Sequence, residues 1–393
     1  MLKVEELRSS RAFIVFLAGL VALAPFAIDA YLPSLPAIAT EFGEELNRVS
    51  ITITFYLIGA AIGQFFGGSI SDHVGRKPVA LTGLALFAGS SLAISFTPGI
   101  DWMYALRACQ ALGGGFASVT CLAQLRDVSS PDEVARRFAM VTSVMLAAPM
   151  VAPTVGALLL SMSWRAVFYF LAVYSVLLFS VYVFLIPETR SGERTNISMN
   201  SLFAGYRQVV SHRDASGRLV IRYALFVAFN GGVFMSFLTN SSAIYMDSFS
   251  VSSFLFALTF GAHGFALLIG TLLSISLARW LKPVSILKTG NSLQIVTLIS
   301  GAAITWLHGL NIYIVLATTL FAIGLNGAMN PVCSGEFIRH YRETSGSAAS
   351  LNSTMMFMIG SLIGGFAALL SGGDILVILL FMAGSAIVGR TTL

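Results

Sequence analysis

Two ionisable residues stand deep inside apolar runs, Asp29 in APFAIDAYLPSLP and Arg107 in MYALRACQALGGG. Such a group costs about 2.5–3.5 kcal/mol in the membrane centre even on insertion-based scales, so it persists where it faces a watery cavity or another charge. The chemistry on offer is proton exchange at a carboxylate beside a fixed cation, because a contact that opens and closes changes the affinity for the proton. Asp29 lies three residues from the run's end at Leu32, and Arg107 five from its start at Trp102. At 1.5 Å per residue their depths differ by about 3 Å. An ion pair or an alternating partnership is therefore open. So is a purely structural bridge, or an Asp29 already in the wet headgroup zone because Pro33 and Pro36 end the helix early.

Other polar groups offer less. His263, between Ala262 and Gly264, suits a proton carrier, since imidazole titrates in the physiological range. A lone histidine there also suits a hydrogen-bonded packing role. Asn230, Asn326, Asn330 and Asn352 either line a cavity or bond between helices. The stretch GGSISDHVGRKPVAL places Gly68, Asp72, Gly75, Arg76 and Lys77 in a charged turn between two apolar runs. Asp72 is an acceptor there, with Arg126 and the positive helix terminus near Gly346 as its expected partners, an arrangement that would latch one side shut. A loop that merely fixes orientation explains Arg76 and Lys77, but neither Asp72 nor the glycines. No HExxH or GxSxG motif occurs, and neither the three cysteines nor the five histidines cluster at metal-type spacing. We therefore expect no enzyme, cofactor or metal site.

The elements that must position these groups are membrane helices. In a chain of 393 residues, 56% are hydrophobic and only 10% charged, far from the roughly 25% charge of soluble domains. Runs of about twenty apolar residues, each long enough to span hydrocarbon, start near Ala12, Val49, Val79, Trp102, Phe138, Trp164, Leu219, Ser253, Val284, Leu310, Gly346 and Ile375. Twelve spans put both termini on one side. Of 23 Lys and Arg, twenty fall on that side, Arg48 and Arg165 fall opposite, and Arg107 is inside a span. Basic loops stay cytoplasmic, so both termini are expected inside. The net charge of +5 thus reflects topology, and no basic stripe interleaved with aromatics suggests nucleic acid. Lys3, Arg8 and Arg11 ahead of the first run resemble a secretory signal, but the run is too long for one and reads as a retained span.

The hydrophilic interval Pro187 to Arg218 divides six spans from six, giving an expected amino-terminal bundle over 1–186, an inter-bundle loop over 187–218 and a second bundle over 219–393. Tyr206 to Val210 is either a short amphipathic helix on the inner surface or solvated linker. The glycine stripes Gly59-Gly63-Gly67 and Gly360-Gly364 let helix backbones approach closely. Pro149 and Pro153 each remove a helix hydrogen bond and predict a kink in the fifth span.

Together these motifs resemble the major facilitator superfamily. The loop signature has glycine, three residues, aspartate, two residues, then Gly75-Arg76-Lys77, with His73 where arginine is usual. Asp29-Ala30-Tyr31-Leu32-Pro33 with Leu35-Pro36 is similar to the end of the first span in the Bcr/CflA drug-resistance branch. Arg107, Gln110 and Gly113-Gly114-Gly115 resemble the fourth-span signature of twelve-span drug:proton antiporters. Ala148-Pro149, Ala152-Pro153 and Gly156 resemble the antiporter motif, with alanines replacing glycines. Trp164-Arg165 and Pro187-Glu188-Thr189 also fit.

The resemblance implies an all-α integral membrane protein, twelve transmembrane helices in two pseudo-symmetric six-helix bundles, with spans two and eleven meeting between the halves. It implies a proton-coupled antiporter that exports small amphipathic molecules, drugs and antibiotics among them, across the inner membrane by alternating access. An exporter dedicated to one metabolite or siderophore is the alternative, and a proton-symport importer a more distant one. Asp29 and Arg107 would couple protons, and Phe26, Tyr31, Gln110, Asn230, Phe234 and His263 would line the substrate cavity. Gly68, Asp72, Gly75, Arg76 and Arg126 would form the cytoplasmic gate, and Pro149, Pro153 and Gly156 the kinked antiporter helix. The expected partners are a small molecule, protons and the lipid bilayer. The expected state is a multi-pass inner-membrane monomer with cytoplasmic termini.

Overall fold

A backbone surrounded by hydrocarbon must satisfy its own hydrogen bonds, and the described residues do so with helices, apart from one bridge between Arg213 and Leu219. The computed structural model describes residues 10–190, 199–214, 216–341 and 345–393, so the basic residues Lys3, Arg8, Arg194 and Arg342 lie outside it. The first half holds α1 (Arg11–Asp29), a helical turn Leu32–Ser34, α2 (Leu35–Phe42), α3 (Leu46–Val74), α4 (Arg76–Ile94), α5 (Ile100–Val128), α6 (Pro131–Leu160) and α7 (Trp164–Leu185). Then come α8 (Met199–Ser211), α9 (Ile221–Ser242) with a π-helical turn Ala243–Asp247, α10 (Ser253–Leu277), α11 (Pro283–His308), α12 (Ile312–Ile338), α13 (Ser345–Ser371) and α14 (Ile375–Thr391).

Local sequence sets the ends. Ser10, Ser163, Ser252, Asn311 and Asp374 each cap the following helix by accepting a backbone N–H. Pro131 and Pro283 occupy first helical positions, where the missing N–H costs nothing. The helix expected from Phe138 begins seven residues earlier at Pro131, because its first turns, PDEVARR, are polar and invisible to an apolar window.

Among the described residues, nine helical segments are long and apolar enough to cross a membrane. Three other expected spans fall below that mark for physical reasons. Helix α5 carries buried Arg107, Gln110 and Gln124, and α11 buried Asn291 and Gln294; α14 has only 17 residues. Polarity turned toward protein lowers a helix's mean hydropathy. The lipid-facing side is legible on α10, where Phe254, Leu258, Phe265, Ile269 and Leu272 are exposed at helical spacing.

Contacts divide the chain into two compact units, Met1–Ile38 with Phe55–Met199, and Ala39–Thr54 with Asn200–Leu393. Both use small residues to bring backbones together. A Cβ on Gly59 would strike the Ala108 carbonyl, and one on Gly63 would sit 2.5 Å from that of Leu112, so this stripe packs on α5. Gly360 and Gly364 face Met235 of α9. Each stripe thus binds helices of its own unit. Helix α8 settles the linker question toward a helix, with its apolar side on protein: Val209 is buried, its carbonyl accepts from the Tyr341 hydroxyl at 2.8 Å, and the Tyr206 hydroxyl meets Ser350 Oγ at 3.2 Å.

Candidate functional site

Helix α5 carries Arg107 in its second turn, facing inward because Gly113, Gly114 and Gly115 below it let α5 lie close to α3 and α4. The guanidinium is fully buried. Its Nη1 donates to the Ala27 carbonyl at 3.1 Å and to Gln110 Oε1 at 2.7 Å. Its carbon lies 4.5 Å from the Tyr31 ring centroid, 4.4 Å from that of Tyr56 and 5.8 Å from that of Phe168. Desolvated cation–π contacts of this kind contribute about 2 kcal/mol. Arg107 Nε and Nη2 have no hydrogen-bond partner, which leaves three of five N–H groups uncommitted in a dry place.

Asp29, on the last turn of α1, is 6% exposed. Among the described residues no ion pair joins it to Arg107; the cation is held by rings and neutral oxygens instead. Asp29 also lies within the protein rather than at a wet helix end. The fifth-span motif reaches this point. Helix α6 runs unbroken through Pro149 and Pro153, and a Cβ on Gly156 would collide with the carbonyl of Ala30. Gly156 thus lets α6 touch the backbone between Asp29 and Tyr31.

The remaining expected cavity residues divide. Gln110 spends its amide on Arg107 and on Ser91 Oγ at 2.7 Å. Asn230 donates to Gln294 Oε1 at 3.0 Å and its carbonyl accepts from Asn326 at 2.6 Å, so both asparagines bond between helices. His263 is buried, with Nδ1 2.8 Å from the Thr259 carbonyl, Nε2 2.9 Å from Thr319 Oγ1, and its ring 4.3 Å from that of Phe237. Both ring nitrogens thus have partners inside the second unit. Phe26 packs on Phe170 and Tyr174, at 5.7 and 6.1 Å, while Phe234 stays half-buried.

At the inner end, Gly75 takes φ 118°, a conformation suited to glycine, between α3 and α4. The Glu188 carboxylate then caps α4, accepting from the Arg76 amide at 2.9 Å and the Lys77 amide at 3.1 Å. Lys77 Nζ donates to the carbonyls of Ile186 at 2.6 Å and Val183 at 3.1 Å. Arg76 pairs with Asp72 and, through Nε, with Asp127 at 3.2 Å. Asp72 is thus held by Arg76 rather than by Arg126, whose exposed side chain has no partner among the described residues. A Cβ on Gly68 would meet Val119 at an ordinary 3.5 Å, within its unit.

Sequence reasoning missed Tyr56, Phe168, Asp127 and the capping role of Glu188. Only Tyr56 carried a signal, the single phenol in the run SITITFYLIGA. The other three come from distant segments, which no spacing rule connects.

The profile of the Major Facilitator Superfamily matches residues 16–365. The chain is 26% identical over 368 residues to a bicyclomycin resistance protein homolog of Haemophilus influenzae, covering 93% of this chain and 90% of that one. Over 174 residues, 44% of each chain, it is 36% identical to the multidrug resistance protein MdtL of Shewanella oneidensis. Its fold is similar to a crystal structure of a D-xylose–proton symporter, with TM-score 0.75 at 14% identity over 97% of both chains.

Proposed function

We propose that this chain, which belongs to the major facilitator superfamily, is a proton-coupled antiporter that exports small amphipathic molecules, antibiotics among them, by alternating access. The protein is a multi-pass membrane transporter of small molecules and not an enzyme. Drug export is supported by relatives named for bicyclomycin and multidrug resistance.

The observation that carries the mechanism is the uncommitted half of Arg107 near a buried Asp29 that no ion pair joins to it among the described residues. A protonated Asp29 is neutral and can stay apart from the guanidinium. Once the proton leaves, the carboxylate gains most by moving onto the free Nε and Nη2 donors, a charge-assisted, bidentate contact. That motion runs along the Ala30–Gly156 contact, so it shifts α1 against α6. Substrate release on one face and proton uptake on the other can then alternate. One charge crossing 100 mV supplies about 2.3 kcal/mol, roughly a fifty-fold concentration ratio.

The test uses purified protein in vesicles with an imposed pH gradient, with substrates found in pump-deficient cells from antibiotics, dyes and siderophores. Asp29→Asn is expected to abolish pH-driven exchange while substrate still binds; undiminished proton-coupled efflux would end this mechanism. Orientation has its own check. With both termini cytoplasmic in an inner membrane, reporters fused after Arg213 read inside and those after Asp247 outside. The reverse pattern inverts every statement of side.

A further inference from the structure

Helix α11 uses its hydroxyls in two ways. Deeper in the helix, Thr297 and Ser300 turn theirs back onto the carbonyls of Leu293 and Val296, at 2.8 and 2.7 Å. This is the usual way to hide a hydroxyl from lipid. Thr289 and Ser292 make no such bond among the described residues, although both are exposed on the membrane-facing side. They flank a groove of about 290 Å³ between α11 and α14, completed by Lys288, Leu293, Val296 and Arg390.

Its layering is that of a lipid. Trp280, 85% exposed, stands just ahead of α11 at the level where interfacial tryptophans sit. Lys288 is five residues inside the helix start at Pro283, about 7.5 Å deeper. Its ammonium has no partner among the described residues, and its long stem can lift the charge back toward the surface. Arg390 Nη1 donates to the Lys288 carbonyl at 2.9 Å, which pins the guanidinium at the groove and leaves further donors open. Below the two charges come the hydroxyls of Thr289 and Ser292, then Leu293 and Val296, 46% and 62% exposed, one and two turns deeper. No carboxylate lines the groove.

We propose that this groove binds the headgroup of an anionic phospholipid. Lys288 and Arg390 hold the phosphate, Thr289 and Ser292 donate to its ester oxygens, and an acyl chain runs along Leu293 and Val296. A free phosphate would satisfy the charges but would leave the apolar floor of the groove bare. The site rests on the membrane fold, not on the transported substrate or on proton coupling.

Native mass spectrometry of the detergent-purified protein tests it, with phosphatidylglycerol, phosphatidylcholine or glycerol phosphate added. The parent protein is expected to retain phosphatidylglycerol adducts. Lys288→Gln, which keeps the Arg390 contact, and Arg390→Gln should each weaken retention about fivefold, the value of one basic residue near an anionic surface. Val296→Asn should weaken it without removing a charge. Equal retention of phosphatidylcholine, or of phosphatidylglycerol by all variants, overturns the proposal. Tight retention of glycerol phosphate alone overturns the lipid assignment in favour of a soluble anion. Equal elution of parent and variants as folded protein separates these results from misfolding, and loss of transport would leave them unaffected.

Discussion

The interiors of the two units are built alike and charged differently. In the first, α6 meets the end of α1 through Gly156, and α3 meets α5 through Gly59 and Gly63. In the second, α13 meets α9 through Gly364, while α10 and α12 close on each other where Gly270 faces the Gly324 carbonyl and Gly327 that of Leu267. The same packing device thus serves corresponding helix pairs. Between them the first unit holds Arg107, Asp29 and a ring of aromatics. The second holds neutral amides, Asn230, Gln294 and Asn326, and a histidine satisfied by Thr259 and Thr319. Backbone packing in a bilayer constrains residue size and leaves polarity free. A pseudo-symmetric fold can therefore keep its charge in one half.

The largest expected effect breaks that contrast directly. Arg107→Ala removes the fully buried cation of the first unit, and pH-driven exchange should vanish. Arg107→Lys should recover only part of it, because a point charge cannot replace a planar fork stacked on two tyrosines. His263→Gln, in the second unit, should leave the exchange within about twofold of the parent, in keeping with a packing role. Vesicle assays at fixed gradient compare them. If His263→Gln alone stops coupling, the division of charge between units has been misread.

A middle-sized effect probes the packing device. Gly156→Val forces a Cβ and its two methyl groups into the space held by the Ala30 backbone and should cost about 1–3 kcal/mol. If α6 is coupled to Asp29, its loss of exchange should exceed its loss of thermal stability. Gly270→Val should lower stability by a similar amount and lower exchange only in proportion. Thermal unfolding in detergent, read beside transport, separates the cases; matched behaviour of the two variants means that Gly156 is packing and nothing more.

The smallest effect lies at the inner turn, which has no acidic counterpart in LARWLKPVSIL of the second unit. Glu188→Ala uncaps α4 and should cost about 1 kcal/mol of stability. Asp72→Asn should cost less, since Arg76 keeps Asp127, yet should slow transport and raise labelling of a cysteine introduced on the inner side. Unchanged labelling and transport would reduce Asp72 to a loop residue.

Helix positions, the charge asymmetry of the loops and the identity of Asp29, Arg107 and the Gly75 turn were legible in the chain itself. Each is a local property: apolar length, a buried charge with no cheap alternative, a backbone angle that glycine adopts freely. The partners were not. Arg107 pairs with Tyr31, Tyr56 and Phe168 rather than with Asp29, Asp72 with Arg76 rather than Arg126, and the α4 amino end with Glu188. Depth along a helix is set by counting residues, but direction around it is set by which neighbour fits. Where helices crowd this closely, that choice belongs to the packed bundle and to no segment alone.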